Sequence, residues 1–203
     1  MNIIVALCKK NNGIGFKGDM PWNLKKELKY FKEITSPSNN NNNSSQNIVI
    51  MGRKTWTSLH KKPLTNRINV VISRNKDPEF IKSIEKHDNT FVRDSINNFM
   101  ETFKKLSNIN YNIFVIGGNE IYKMAINSNI CINLYITEIY KEYECDTFFP
   151  EINNEDYSLT NVSEFKEDSG VYYRHKIYKN NKYIKNKEEI WNNKEEMQYM
   201  NTM

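Results

Sequence analysis

Three cysteines in 203 residues, Cys8, Cys131 and Cys145, are an odd number at wide spacings, which excludes a disulfide framework and paired metal ligands. They read as reduced structural thiols. His60, His87 and His175 stand apart from one another and from any plausible nucleophile partner, so neither metal spacing nor a hydrolytic triad is present. All three are expected at the surface or in structural roles, with no metal site. No window approaches the roughly 18 apolar residues of a membrane span, and the opening MNIIVAL lacks the basic start and small-residue cleavage site of a secretory signal. The expectation is a soluble, cytoplasmic protein. Nor does one sign of charge dominate: 29 Lys and Arg against 24 Asp and Glu leave +5, too mild and too scattered for a nucleic-acid surface. No repeat of fixed period is visible. What is there has the length for one well-filled core, with or without a tail.

Apolar runs bounded by turn residues recur at 3–7, 48–51, 68–73, 91–92, 113–116 and 132–137, and these read as strands. Segments with helical spacing lie at 24–35, 53–60, 79–87, 95–107 and 119–127. Alternation of strand and helix predicts an α/β fold, a mainly parallel sheet with helices on both faces. Two further strands, 156–165 and 170–178 around an acidic turn at 167–170, predict a closing antiparallel hairpin. The polar run SPSNNNNNSSQN (36–47) reads as an exposed Asn-rich insertion loop without a core residue. Residues 1–179 are thus expected to form the domain and 180–203 a tail, charged and Asn-rich yet carrying Ile184, Ile190, Trp191 and Met197.

The first chemical signal is an acid in an apolar stripe. With Asn23 as N-cap, Leu24, Leu28, Phe31 and Ile34 follow the spacing of a core-facing helix. At 100° per residue Glu27 falls about −60° from Leu24, between Phe31 at about −20° and Ile34 at about −80°. The lysines occupy the other side, so a polar face was available and Glu27 was still placed inward. A buried carboxylate demands a partner; helix spacing alone also fits a stripe-edge Glu that reaches water. Just before it, GIGFKGDMPW (13–22) combines three glycines, a proline and large apolar residues, the make-up of a loop that closes as a lid.

Three strand ends are suited to anions. Gly52, Arg53 and Lys54 open a helix after one strand, Ser73 and Arg74 end another, and Gly117 and Gly118 join a third to the next helix. Each alone fits an ordinary turn, and neither the triphosphate-loop pattern nor GxGxxG is met. Together, at strand C-termini of a parallel sheet, they suggest a ligand with several phosphates. Arg67, at the entrance of INVVIS, has the planar fork that grips a carboxylate, with a solvated arginine as the alternative.

In their order, IVAL, GIGFKGDMPWNL, the Glu27–Phe31 helix, MGRKTW, PLTNRINVVISR, FVIGGNEIY, LYIT and DTFFP resemble the dihydrofolate reductase family, over the chain up to about Tyr178. The resemblance implies a mostly parallel eight-stranded central sheet with flanking helices and an antiparallel C-terminal edge strand. It implies reduction of 7,8-dihydrofolate by NADPH, and binding of antifolate inhibitors. On the family's pattern Glu27, Thr137 and Trp22 are the catalytic set. Ile4, Val5, Ala6, Met20, Phe31, Ser58, Leu59, Leu64, Ile116 and Tyr122 line the substrate cleft, and Arg67 holds the glutamate α-carboxylate. The cofactor falls to Ala6, Ile14, Gly15, Gly18, Asp19, Met20, Gly52, Arg53, Lys54, Thr55, Ile72, Ser73, Arg74, Ile116, Gly117, Gly118, Asn119, Glu120, Ile121 and Tyr122, with a cis bond expected between the two glycines. Glu at position 27, where bacterial members usually carry Asp, resembles the form found in nucleated cells. EEMQYM (195–200) resembles the opening of thymidylate synthase, which would make 180–194 a junction to a linked synthase; an amphipathic terminal helix is the alternative. The competing readings are a non-catalytic NADPH- or pterin-binding module and a related pterin or pyrimidine reductase on the same fold.

Overall fold

The computed structural model describes residues 1–37, 46–106, 111–128 and 130–183. The tail from 184 on and residues 38–45 of the insertion lie outside the described residues.

Six strands pair side by side and all parallel. In spatial order they are β7 (Asn133–Ile139), β1 (Asn2–Cys8), β6 (Ile113–Gly117), β3 (Asn47–Gly52), β4 (Arg67–Ile72) and β5 (Thr90–Arg93). The last strand, β11 (Val171–Asn180), joins β7 antiparallel, and its outer side is covered by β10 (Lys166–Asp168) and by β9 (Tyr157–Val162). The expected mostly parallel eight-stranded sheet with an antiparallel C-terminal strand is therefore formed, with β9 as a ninth strand. Ser169 and Gly170 both have positive φ, the backbone a two-residue hairpin turn requires. Lys166 to Asp168, part of which was expected as turn, are strand for that reason.

Strand periodicity assigns the two cores. Ile3, Val5 and Leu7 of β1 face one side with Ile96 and Phe99 of α4 (Ile96–Leu106) and Ile121 and Ala125 of α5 (Asn119–Ile126). Ile4 faces the other side with Trp56 of α2 (Arg53–Ser58), Ile84 of α3 (Pro78–Glu85) and Phe31 and Ile34 of α1 (Lys25–Thr35). Ile3, Ile48, Val49, Ile50, Val70 and Val71 are fully inaccessible, each contributing roughly 1.5–3 kcal/mol of burial.

Three local expectations are corrected. Asn23 does not cap α1: the cap position is Leu24, without a side-chain bond, and Asp168 of the distant β10 accepts from the Lys26 N–H at 2.7 Å instead. Leu28 is 43% exposed, because the buried face of α1 centres on Glu27, Phe31 and Ile34 and a residue at about +40° falls outside it. Asn47 is not insertion loop but the buried first residue of β3, donating to the Thr35 carbonyl and closing the base of that loop. No helix among the described residues is long and apolar enough to cross a membrane.

Candidate active site

Parallel pairing brings the C-terminal ends of β1, β3, β4, β6 and β7 to one edge of the sheet, where an α/β fold places its ligands. In register, Ala6 lies beside Thr137, Met51 beside Gly117 and Gly52 beside Ile72. Ala6, Gly52, Ile72, Gly117 and Thr137 of the predicted residues lie at or near this edge, whereas Arg67 opens β4 at its opposite end.

Glu27 is 4% exposed and accepts one hydrogen bond, from the Thr137 hydroxyl at 3.2 Å. The alternative of a water-reaching carboxylate is thereby removed. Among the described residues no cation pairs with it, and burial pushes its carboxyl up to about 7 although the Thr137 bond pulls the other way. A second buried acid, Glu138, shows what structural neutralisation looks like in this chain. Lys176 donates to it at 2.9 Å and Tyr140 at 2.9 Å, with Arg174 at 3.3 Å and Lys9 at 3.4 Å. Burial works against ionisation there too, but these partners bring Glu138 below the ordinary carboxylate range. Glu138 was missed from sequence, since nothing in LYITEIY announces its cations.

Beside Glu27 the side chains of Ile4, Phe31, Leu59, Leu64 and Ile116 share one apolar cluster. Asn69, fully buried and also unanticipated, holds Leu64 by bonds to its N–H and carbonyl, both at 3.0 Å. Ser58 donates its hydroxyl to the Thr55 carbonyl. Val5 and Tyr122 belong to the other core; Val5 can offer the cleft only backbone, and the Tyr122 hydroxyl is bonded to the Ile4 carbonyl at 2.9 Å. Arg67 is buried at 4% exposure, its Nη1 on the Thr35 hydroxyl at 2.7 Å, its Nε on the Thr65 carbonyl and its guanidinium 5.9 Å from the Phe31 ring. It forms no ion pair among the described residues, so an arginine fixed by neutral groups stands next to the cleft. The solvated alternative is removed for it as well.

The flap is tied down at its root and turns at its tip. β2 (Gly13–Gly15) pairs with β8 (Thr147–Phe148), and Asp146 accepts from the Lys17 N–H at 2.7 Å. Phe16 and Asp19 exchange backbone bonds around Lys17 and Gly18, both at positive φ. From the tip, Asp19 reaches His60 at 3.6 Å. Trp22 is buried in a third cluster with Cys8, Leu24 and Tyr173 and with Ala6 packed against it, whereas Met20 is 41% exposed. Ile14 packs on the core shared by Ile72 and Ile121.

At the expected phosphate-binding ends, Gly117 and Gly118 are joined by a cis bond. A Cβ on Gly117, whose φ is +137°, would stand 3.0 Å from Thr55 Oγ1 and one on Gly52 3.2 Å from Ile121, so two strand-to-helix turns press together with little room for a side chain. Asn119 Oδ1, at the first residue of α5, is buried with no partner among the described residues, and Glu120 is exposed. Arg53, Lys54 and Arg74 are exposed and Ser73 is half-buried. Close backbone approach, a buried amide oxygen without a partner among the described residues and exposed cations fit an NADPH-sized anionic cofactor.

His175, expected as surface or structural, is buried and contacts Thr137. The alternation of Val171, Tyr173 and His175 along one face of the strand was the signal that it points inward.

The dihydrofolate reductase family profile matches residues 1–182. The chain is 37% identical to the dihydrofolate reductase of Aedes albopictus over 183 residues, 87% of this chain and 95% of that one. It is 38% identical to that of Sus scrofa over 192 residues, covering 89% and 98%, and 34% identical to that of Drosophila melanogaster over 182 residues, covering 87% and 95%. With the profile spanning every described strand and the relatives covered nearly end to end, the chain belongs to the dihydrofolate reductase family.

Proposed function

We propose that this chain reduces 7,8-dihydrofolate to 5,6,7,8-tetrahydrofolate with NADPH, serving one-carbon metabolism in the cytoplasm. The observation that carries the proposal is Glu27: an acid buried without a cation among the described residues, bonded to Thr137 near the ligand edge of a parallel sheet, on the helix that follows a glycine-rich loop in sequence. A pterin's 2-amino group and N3 are the donors such a carboxylate lacks. Bound NADPH supplies the hydride that reaches C6. The part of Glu27 is to hold the pterin and favour the tautomer and hydration that let water protonate N5. Thr137 orients it, Arg67 takes the glutamyl α-carboxylate bidentately, and Ile4, Phe31, Leu59 and Leu64 exclude water along the cleft. Arg53, Ser73 and Arg74 are placed to select a 2′-phosphate, giving NADPH over NADH. A non-catalytic module on this fold is expected to have lost the acid, the flap or the arginine clamp, and this chain keeps all three. Antifolates with a pteridine-like diamino ring would use the same carboxylate. Through the likeness of EEMQYM (195–200) to the opening of thymidylate synthase, residues 180–194 are read as a junction to a linked synthase domain.

The test is the fall of NADPH absorbance on mixing the protein with dihydrofolate, with NADH alongside. A decay abolished by methotrexate and much faster with NADPH is expected. Bound NADPH without decay would reject the reductase reading while sparing the cofactor site. For the junction, a full-length transcript ending at Met203 would end the synthase proposal.

A further inference from the structure

The polar chain at the site does not stop at Thr137. His175 is its cross-strand neighbour on β11, and His175 Nδ1 lies 3.1 Å from Thr137 Oγ1, which itself donates to Glu27 Oε1. The imidazole is 5% exposed and stacks on Tyr30 of α1, ring centroids 3.6 Å apart, with Tyr173 against its edge at 5.5 Å. A second residue of α1 thus fixes the ring that supports the acid of the same helix. His175 Nε2 is buried with no protein partner, so Thr137 is the one side-chain contact through which the ring acts by hydrogen bonding among the described residues.

Proton counting gives this contact a direction. A threonine hydroxyl has one proton. When Glu27 is ionised it can only accept, so Thr137 gives its proton to Glu27 and offers His175 nothing but lone pairs. His175 must then carry its proton on Nδ1 and donate. Reversal of the chain requires Glu27 to be protonated and the histidine proton to move to Nε2. The tautomer of His175 and the charge of Glu27 are therefore linked through one hydroxyl.

We propose that His175 is a positioning residue of the reaction: its Nδ1–H fixes the direction of the Thr137 hydroxyl and thereby holds the Glu27 carboxyl as an acceptor for the substrate. The inference rests on the reductase reading for its consequence in catalysis, but not for the linkage itself. The groups facing this chain are Tyr30 of α1, Tyr122 of α5, Tyr173 of β11 and, over the Tyr30 ring at 5.8 Å, Lys166 of β10. Burial, with Lys166 adding to it, keeps the imidazole neutral by holding its pKa at about 4. A neutral ring has one N–H, which is the condition for a directional bond.

Three measurements on the full chain test this. In ligand-free wild type at pH 8, the ¹⁵N shifts of His175 should report the Nδ1–H tautomer; the Nε2–H tautomer would overturn the proposal without any variant. Next, the Glu27 carboxyl is titrated by ¹³C NMR in His175→Phe, which keeps a stacking ring and loses the donor, and in His175→Asn, which loses the ring and keeps an amide donor at the Nδ1 position. The midpoint should rise by about half to one pH unit in the phenylalanine variant and return close to wild type in the asparagine variant. If packing on Tyr30 were the whole role, the phenylalanine variant would titrate like wild type and the asparagine variant would not, and the proposal would fall. Finally, the pH profile of single-turnover hydride transfer should shift with the same midpoints while KM for NADPH stays unchanged. A shifted titration in a protein that oxidises no NADPH would uphold the linkage and reject the reductase reading; an unshifted titration in an active reductase would do the reverse.

Discussion

Glu27 and Glu138 are both buried acids, one on α1 and one on β7, and their neighbours give them opposite work. Three cations and a tyrosine satisfy Glu138 within the protein. Glu27 has one hydroxyl. Replacing Glu138 by Gln should therefore cost stability, about 3 kcal/mol or more, because Lys176 is left buried beside a neutral amide; chemical denaturation measures it, and a neutral effect would mean that the cations find water. Glu27→Gln is expected to leave NADPH affinity alone and remove most turnover at pH 7, with partial recovery in acid where dihydrofolate arrives already protonated. Full turnover at pH 7 would take Glu27 out of the mechanism. Arg67→Lys tests the cleft's other end. A point charge cannot reproduce a fork held by Thr35 and Thr65, so KM for dihydrofolate should rise roughly 10-fold or more, while an inhibitor without a glutamyl carboxylate binds as before. Equal losses for both ligands would show that Arg67 only supports the fold.

Elements with a strong period were legible in the sequence, and elements made by partners were not. β1, β3, β4, β6 and α5 fall within a residue or two of their expected places because alternation or helical spacing announces them locally. β2 and β8 carry no such pattern: a Gly-Ile-Gly strand exists only because the chain around Asp146 lies against it. The start of α1 was misread for the same reason, its cap being supplied by Asp168 from 142 residues away. Glu27 could be found because α1 has a period to violate; the cations of Glu138 and the partner of His175 come from other strands and leave no local trace. The flap root makes a test at this scale. A Cβ on Gly13 would meet Cys145 Sγ and lie 2.6 Å from Cys145 Cβ, so Gly13→Ala should force β2 off β8 at a cost of about 1–3 kcal/mol and slow turnover. The exchange Gly13→Ala with Cys145→Gly restores the space, and melting temperature and turnover should recover together. A single variant as stable as wild type would show that β2 can shift freely.

At the scale of the whole molecule, parallel pairing is what turns scattered motifs into one edge: Ala6, Gly52, Ile72, Gly117 and Thr137 are far apart in sequence and side by side at the ends of their strands. The antiparallel β11 and the packing of α1 bury two titrating groups, His175 and Glu27, on either side of Thr137, and the ligand-free fold should feel both. Glu27 keeps its proton up to about 7 against an ordinary 4.5, so the unfolded chain binds fewer protons between those values and stability falls as pH rises through them, by up to about 3 kcal/mol. His175 gives up its proton down to about 4 against an ordinary 6.5, so the unfolded chain binds more protons there and stability falls as pH drops from about 6.5 towards 4. The two slopes oppose each other between about pH 4.5 and 6.5, where wild type should show little net dependence from this pair. Each single variant unmasks the other group. Relative to wild type, Glu27→Gln should gain stability steadily from pH 4.5 to 7, and His175→Phe should gain it as pH falls below 6.5. Glu138 and Asp168, both held below the ordinary carboxylate range, contribute equally to all three proteins and drop out of the differences. Melting curves of the three proteins from pH 4 to 8 decide it: difference profiles that stay parallel to the pH axis would mean that neither group changes its proton affinity on folding, and the account of the buried acid would have to be rebuilt.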